Sequence, residues 1–324
     1  MSPVIAVAGG SGGLGRAIVD ALKTSAKYDV VILSRKTNPK IESETGARVL
    51  ATDYANVESV VQVLEENKVY AVIATLTAAI DPAQELNLIE ACERSGVTKR
   101  YMPSIWSAIP FTIDKELAKD TGISVLSAKF NHTISVLEKT SLEHTAVFPG
   151  LFLDYFVQGL PSYIEMAGIF VDVKNNVAAI PGSGNVPVSF TYTSDVGKYV
   201  VALLGKAEGT WKPAYLIAAD NRTWNEVVSL AEKAKGVKFN VAFDSVEKLK
   251  EGIITELPGH ADMYEMFGGG ESGKKAAWAI LSTYGVWMEE GRFHYTDGPF
   301  LNEEFGDIVP LKMEEAWKKV VGTI

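Results

Sequence analysis

The residues best suited to chemistry stand near the start of the chain. Gly9, Gly10, Gly12, Gly13 and Gly15 crowd into GGSGGLG, directly after the apolar run Val4–Ala8 and directly before GRAIVDALK. Gly9, Gly12 and Gly15 satisfy GxxGxxG, while Gly10, Gly12 and Gly15 satisfy GxGxxG. Glycine is needed where the turn tightens, where backbone approaches a pyrophosphate and where helix meets strand. The helix N-terminus that follows offers unpaired N–H groups and the positive end of its dipole to phosphate. The position between a strand and a helix separates such a loop from a structural glycine turn. Gly9, Ser11, Gly12, Gly13, Leu14 and Gly15 are therefore the expected phosphate-facing residues. The second strand ends in LSRKTN, which places Ser34, Arg35 and Lys36 about where a dinucleotide-binding protein selects its cofactor. An acid there accepts the ribose hydroxyls of NAD, whereas a hydroxyl and two cations suit a 2′-phosphate that an acid would repel. NADP(H) is the cofactor this points to; a solvated basic pair is the alternative. Asp53 and Tyr54, in ATDY, are placed to meet the adenine, although an Asp at a strand end often only caps a helix.

Other catalytic devices are missing. Tyrosine-dependent short-chain dehydrogenases carry YxxxK, in which the lysine lowers the tyrosine pKa for proton transfer. None of the 12 tyrosines here has a lysine four positions later. Lys129, on a helix beginning near Ser124, has Val125 where that tyrosine would stand. His132, His144, His260 and His294 are scattered, with no metal-ligand spacing and no pairing with Cys or Ser that suggests a triad. Glu289–Glu290 and Glu303–Glu304 lie in polar stretches and read as solvated faces. Gly268, Gly273 and Lys274 have the GxxxxGK spacing of a phosphate loop. However, Lys275 stands where magnesium needs Ser or Thr, and ADMYEMF before them is not β-like. A mobile loop leading into AAWAILSTYG is the better reading there.

The elements that must position these residues alternate in the first half. Candidate strands are Val4–Ala8, Asp29–Ser34, Ala47–Ala51, Tyr70–Leu76, Lys99–Pro103 and His144–Phe148. Their apolar runs suit parallel strands covered on both faces, and the alternation implies an α/β fold with a doubly wound parallel sheet. In DPAQELNLIEACERSG, Asp81 can cap a helix, Pro82 fits its first turn and Gly96 ends it. After about Gly150 the rhythm changes to an aromatic-rich half. It holds a β segment with a Gly/Pro turn (NNVAAIPGSGNVPVSFTY), a helix capped by Ser194 or Asp195, the strands AYLIAA and KFNVAF, and a capping box at Thr223–Glu226.

Composition bounds the rest. A chain of 324 residues suggests about two domains or one large α/β unit, with a core that needs no disulfide or metal. The single cysteine, Cys92, reads as core packing. A net charge of −9 argues against nucleic acid and anionic membranes as partners, and no apolar run reaches the ~18 residues of a membrane span. With no basic region before an apolar run at the start, the expected location is the cytoplasm. The expected partner is a small-molecule substrate, and a homodimer stays open.

The runs GGSGGLG, LSRK, KRYMPS, SVLSAKFNHTISVLEK, FPGLFLDYF, GSGNVPVSFTYTSDVGKYVVALL, TWNEVVSLAEKAKGVKF and LNEEFGDIVPLKMEEAW resemble the NmrA-like and isoflavone-reductase-like branch of atypical short-chain dehydrogenases. The resemblance covers nearly the whole chain. It implies a Rossmann domain binding NADP(H) over residues 1–150. It also implies a smaller C-terminal α+β substrate lobe over 151–324, some of whose segments return to the main sheet, with the active site in the cleft between them. It further implies that Lys129 is the general acid/base beside the nicotinamide, along which Phe148, Pro149 and Gly150 run. Thr75, Leu76 and Ser104 complete the expected cofactor-binding set. Plant reductases of the family read PSEFG where this chain has Ser104–Ile105–Trp106–Ser107 after Pro103. That exchange removes a charge, adds a large ring and points to a bulky, largely apolar ligand. Trp106, His132, Phe152 and Tyr155 are the pocket candidates, against ordinary core packing for each aromatic and a satisfied structural role for the histidine. Three functions follow as expectations: an NADP(H)-dependent reductase of a polycyclic or aromatic molecule in secondary metabolism, a redox-assisted cyclising or tailoring enzyme, and a non-catalytic NADP(H)-sensing regulator.

Overall fold

The structure is a computed structural model and describes residues 2–76, 82–110, 124–165 and 168–321. Its first half runs β1 (Val4–Ala8), α1 (Gly13–Ser25), β2 (Asp29–Ser34), α2 (Pro39–Thr45), β3 (Arg48–Ala51), α3 (Val57–Glu66), β4 (Val69–Ala74), α4 (Pro82–Ser95), β5 (Arg100–Met102), α5 (Ser124–Leu137) and β6 (Glu143–His144). The six strands form one sheet in the order β3-β2-β1-β4-β5-β6, with every pair parallel. The strands are apolar throughout because both faces are covered. Ile5 and Val7 of β1 enter one core, while Ala6 and Ala8 enter the core on the opposite face. The strand order reverses between β1 and β4, so a crevice opens beyond their carboxyl ends, where this topology binds ligands.

Two expected strands, Val4–Ala8 and Asp29–Ser34, are observed with the same bounds, the next three differ by one or two residues at an end, and the last divides at Thr145 into β6 and β7 (Ala146–Phe148). Thr145 donates to Tyr101 O in β5, whereas Ala146 donates to Pro213 O on the other edge. That edge receives β12 (Ala214–Leu216), parallel to β7. Pro82 opens α4, and Gly96, at φ 64°, follows its last turn; Asp81 lies outside the described residues.

The second half begins with β8 (Leu151–Phe152) and a 3-10 turn (Leu153–Phe156), followed by β9 (Val171–Asp172), β10 (Val177–Pro181), β11 (Val188–Thr191) and α6 (Thr193–Leu204). After β12 come β13 (Asp220–Arg222), α7 (Trp224–Lys235), β14 (Asn240–Asp244), α8 (Val246–Lys250), α9 (His260–Met266), α10 (Gly270–Glu289), α11 (Leu301–Glu304) and α12 (Met313–Val320). Its core gathers Phe156, Phe170, Phe190, Trp224, Trp287 and Trp317. The segment expected as one β unit with a turn supplies strands to two sheets: β10 lies between β9 and β14, and β11 between β8 and β13. Its Gly/Pro turn therefore joins sheets instead of closing a hairpin.

The other local readings divide. Thr223 and Glu226 form the expected capping box on α7. Neither Ser194 nor Asp195 caps α6, because the helix starts at Thr193 after Tyr192. Its first N–H donates instead to the buried Asp154 carboxylate, at 2.9 Å, while Asp195 accepts from Lys198 and from Leu311 N–H. The segment expected as a mobile loop before AAWAILSTYG is helical: α10 starts at Gly270, after α9 and a junction in which Gly268 and Gly269 take positive φ. Glu289 is not a solvated acid, since its carboxylate accepts from Ser183 N–H and Oγ at the Gly182 turn.

Candidate functional site

The glycine loop sits where β1 ends at the switch point. Gly9 (φ 85°) and Gly13 (φ 53°) hold backbone conformations that side chains rarely adopt. A Cβ on Gly9 would lie 2.7 Å from Thr75 O, and one on Gly15 would lie 2.4 Å from Thr75 Oγ1. These two glycines let the loop and the first turn of α1 press against β4. Gly12 differs: it is exposed, and a Cβ there would meet nothing within 4 Å. Gly12 is also the N-cap of α1 and supplies no side-chain acceptor, and no acid stands in the first turn. The open space beside Gly12 and the uncapped N–H groups of Gly13, Leu14 and Gly15 fit a pyrophosphate. Ser11 is half-buried beside them, and Leu14 is buried in the core beneath α1.

Arg35 and Lys36 follow β2 and are both exposed. Among the described residues, neither makes an ion pair. Two free cations at the edge of the crevice suit a 2′-phosphate. Tyr54 is buried among the core residues on one face of the sheet and donates its hydroxyl to Leu33 O at 3.0 Å. Burial pushes the Tyr54 phenol up, against the opposing pull of nearby Arg35. Asp53 is exposed and accepts from Ala55 N–H at 3.1 Å, which gives it the turn-making role open to an Asp at a strand end.

The segments after β4 and β5 are stitched together. Thr75 Oγ1 donates to Ala8 O at 2.8 Å, Ser104 Oγ donates to Leu76 O at 2.6 Å, and Trp106 Nε1 donates to Ala74 O at 2.8 Å. Ser104 N–H in turn donates to Glu85 Oε1 at 2.6 Å. Glu85 is 3% exposed, and burial pushes its carboxyl up while the Ser104 N–H and the Lys129 ammonium favour its charged form. Lys129 lies half-buried on α5. His132 is on the same helix but exposed, while Trp106 is half-buried against the core under α1. Residues 111–123, between Trp106 and Lys129 in the chain, lie outside the described residues.

Phe148, Pro149 and Gly150 are buried where β7 ends. Gly150 has φ 69°, and a Cβ there would lie 2.3 Å from Ser189 O. The Phe152 and Tyr155 rings lie 5.9 Å apart. Burial, with help from Asp154, pushes the Tyr155 phenol up to about 12. Two aromatics that the sequence reading missed join them from the far end of the chain. Tyr284 of α10, also pushed up to about 12 by burial and by Tyr155, packs edge-on to Phe293 at 5.2 Å. Tyr295 donates its hydroxyl to Ala108 O at 2.8 Å. Spacing gives no hint of either, because both are brought in by tertiary packing.

A cavity of about 980 Å³ lies elsewhere, between α1, α6 and the residues around Tyr163 and Val309, and includes neither Lys129 nor the glycine loop. Its walls hold no element of the dinucleotide cradle, so the crevice at the switch point is the candidate site. Among the described residues no group of three or more His, Cys, Asp or Glu could hold a metal ion, and no helix is long and apolar enough to cross a membrane.

Comparison with known proteins gives the same outline. The NmrA-like family matches residues 1–279. An oxidoreductase of Botryotinia fuckeliana, BOA1, is 32% identical over 313 residues, covering 94% of this chain and 95% of that protein. The leucoanthocyanidin reductase of Vitis vinifera, solved as a binary complex with NADPH, superposes with a TM-score of 0.74 at 16% identity, covering 98% of this chain and 99% of that one. The protein AtPrR2, solved with NADP+ and (+)pinoresinol, also superposes at 0.74, with 20% identity over 99% of each chain.

Proposed function

The chain belongs to the NmrA-like family, and from that premise we propose that it is an NADP(H)-dependent reductase of a bulky, largely apolar aromatic or polycyclic molecule, with secondary metabolism as its setting. The observation that carries the reading is the line of contacts across the switch point. Gly9 packs on Thr75, Leu76 accepts from Ser104, Ser104 donates to Glu85, and Glu85 feels the charge of Lys129. These contacts support a reading in which a cradle for pyrophosphate and a partly buried amine share one crevice.

Each residue has a distinct task. The first-turn N–H groups of α1 bind the pyrophosphate, and Arg35 with Lys36 holds the 2′-phosphate. The bound cofactor supplies the hydride. Phe148, Pro149 and Gly150 would form the wall beside the nicotinamide, and Thr75, Leu76 and Ser104 the floor. Lys129 holds the proton that the substrate takes up. Trp106, Phe152 and Tyr155 give the pocket its aromatic character; (+)pinoresinol, bound in the AtPrR2 structure, is a ligand of matching chemistry. Residues 1–150 carry the cofactor and 151–324 the substrate side, with α6 and β12 serving the first from within the second.

The test is turnover of NADPH with a panel of aromatic ketones, enones and benzylic ethers, with product masses measured. A gain of two hydrogens supports reduction, and a change of ring connectivity supports a cyclising enzyme. Tight NADPH binding with no turnover of any compound leaves the sensor.

A further inference from the structure

β14 is a border strand of the sheet β14-β10-β9. Among the described residues it pairs with β10 alone, in parallel, from Val177 opposite Asn240 to Pro181 opposite Asp244. Asn240 N–H donates to Asn176 O at 3.0 Å, and Asp244 O accepts from Gly182 N–H at 2.8 Å. Alternate residues of a strand turn their backbone groups to opposite sides, so Asn240, Ala242 and Asp244 face β10 while Val241 and Phe243 face outward. Among the described residues the N–H and C=O of Val241 and Phe243 have no hydrogen-bond partner. A bare edge of this kind is normally blunted by charge, proline or a covering segment. This one carries apolar surface instead. Phe243 is 56% exposed, Val237 is exposed just before the strand, and Ile253 is exposed in the turn after α8. That turn is held to β14 by Thr255 N–H, which donates to the Asp244 carboxylate at 2.7 Å.

We propose that the β14 edge is a self-association surface, on which a second copy of this chain lays its own β14 antiparallel about a two-fold axis at Ala242. The free groups sit at positions i and i+2, a pattern that reads the same when reversed. Val241 of each copy therefore meets Phe243 of the other in a reciprocal hydrogen-bonded pair, four bonds in all, and sets a branched side chain against an aromatic one. The two Ala242 residues face each other in the intervening close pair, where Cα atoms approach to about 4.5 Å and a small side chain fits. Charge agrees with self-pairing. The whole chain carries −9, yet Lys238 to Glu251 is neutral, with Lys238, Lys248 and Lys250 against Asp244, Glu247 and Glu251. Reversal brings the exposed Lys238 of one copy toward Glu247 of the other, an acid that forms no ion pair among the described residues. The outcome joins two three-stranded sheets into one of six strands.

Sedimentation equilibrium on the full chain tests this, with V241P, F243K, A242C and N240C beside the parent and a thermal melt of each. For so small an interface the parent is expected to dimerise with a dissociation constant of about 1–100 μM. V241P deletes an outward N–H without touching the β10 ladder, which an edge strand tolerates. V241P and F243K should each weaken self-association at least about 10-fold, the worth of one or two lost pairings, while melting like the parent. Under mild oxidation A242C should give a disulfide-linked dimer, because facing Cβ atoms in such a pair lie about 4.5 Å apart. N240C should not, since its two copies would be offset by four residues, about 13 Å. The native Cys92 is buried and does not compete. A parent that stays monomeric throughout that range overturns the proposal, including the case in which the edge serves an extended segment of another protein. A dimer that V241P and F243K leave intact, or N240C linking as readily as A242C, overturns it too. Should V241P fail to melt cooperatively, F243K and the A242C link decide: parental affinity in F243K or no link in A242C sinks the pairing.

Discussion

Lys129 and Arg35 carry the two most exacting claims about single side chains. Lys129 stands four residues after Val125, where a tyrosine-dependent dehydrogenase has its acid, so the proposed proton transfer is assigned to the lysine. K129A is expected to lower kcat about 10²–10⁴-fold with little change in NADPH affinity, read by steady-state kinetics and by fluorescence titration. Arg35 forms no ion pair among the described residues, so its removal tests the proposed 2′-phosphate contact with little loss within the fold. R35A should weaken NADPH about 10-fold or more, the worth of a charge-assisted hydrogen bond, and leave NADH nearly unchanged. Equal losses for both cofactors would sink the 2′-phosphate assignment. Both residues were legible in the sequence because each is read from its place after a strand or within a helix. Glu85 was not singled out, though the sequence holds its signal: an acid in register with Leu88, Ile89 and Cys92 on one helix.

At the scale of elements, Arg100 ties the sheet edge together. It is 1% exposed in β5, pairs with Glu143 of β6 at 2.7 Å and donates to the carbonyls of Leu204 at the end of α6 and of Lys206 and Ala207 just beyond it. Its guanidinium also lies 4.6 Å from the centre of the Trp211 ring. R100A leaves the Glu143 carboxylate and three carbonyls without their donor, and should cost about 3 kcal/mol or more in a denaturant melt. The pair also sets a pH dependence. Burial pushes Glu143 up, but the Trp211 N–H and Arg100 outweigh it and hold the carboxyl below its usual value. A depressed acid adds stability above its unfolded pKa and loses it as pH falls through its folded one. Stability should therefore drop below about pH 4, and R100A should show a smaller drop over that range. The strands and helices of the first half were readable because local apolar runs, glycines and caps decide them. The cap of α6 was misread as local because its acceptor, Asp154, lies 39 residues upstream.

The whole molecule is less divisible than its sequence rhythm suggests. α6, far into the second half, buries Val196, Tyr199, Val200 and Leu203 in the same core as Leu14, Ile18 and Leu22 of α1. Gly197 makes this close approach possible, since a Cβ there would lie 2.8 Å from the Ala21 Cβ. β12 likewise pairs with β7 of the first half from outside residues 1–150, in a two-stranded sheet of their own. A fragment of residues 1–150 is accordingly expected to expose the apolar face of α1, bind hydrophobic dye and melt without a sharp transition. A cooperative melt like that of the full chain would make the first half an autonomous domain.

The amino-acid sequence alone determined the strand–glycine loop–helix, the basic pair after β2, the lysine on α5 and the parallel alternation. All of these depend on neighbours within a few residues, where steric and hydrogen-bonding rules act directly. Only the tertiary structure decided that β10 and β11 part into different sheets, that Asp154 caps α6 and that Tyr284 and Tyr295 reach the FPG turn. It also decided that the Glu85 carboxylate meets the Ser104 N–H. Those outcomes are set by packing between segments far apart in the chain, and a buried charge shows its role only once the groups that surround it are known.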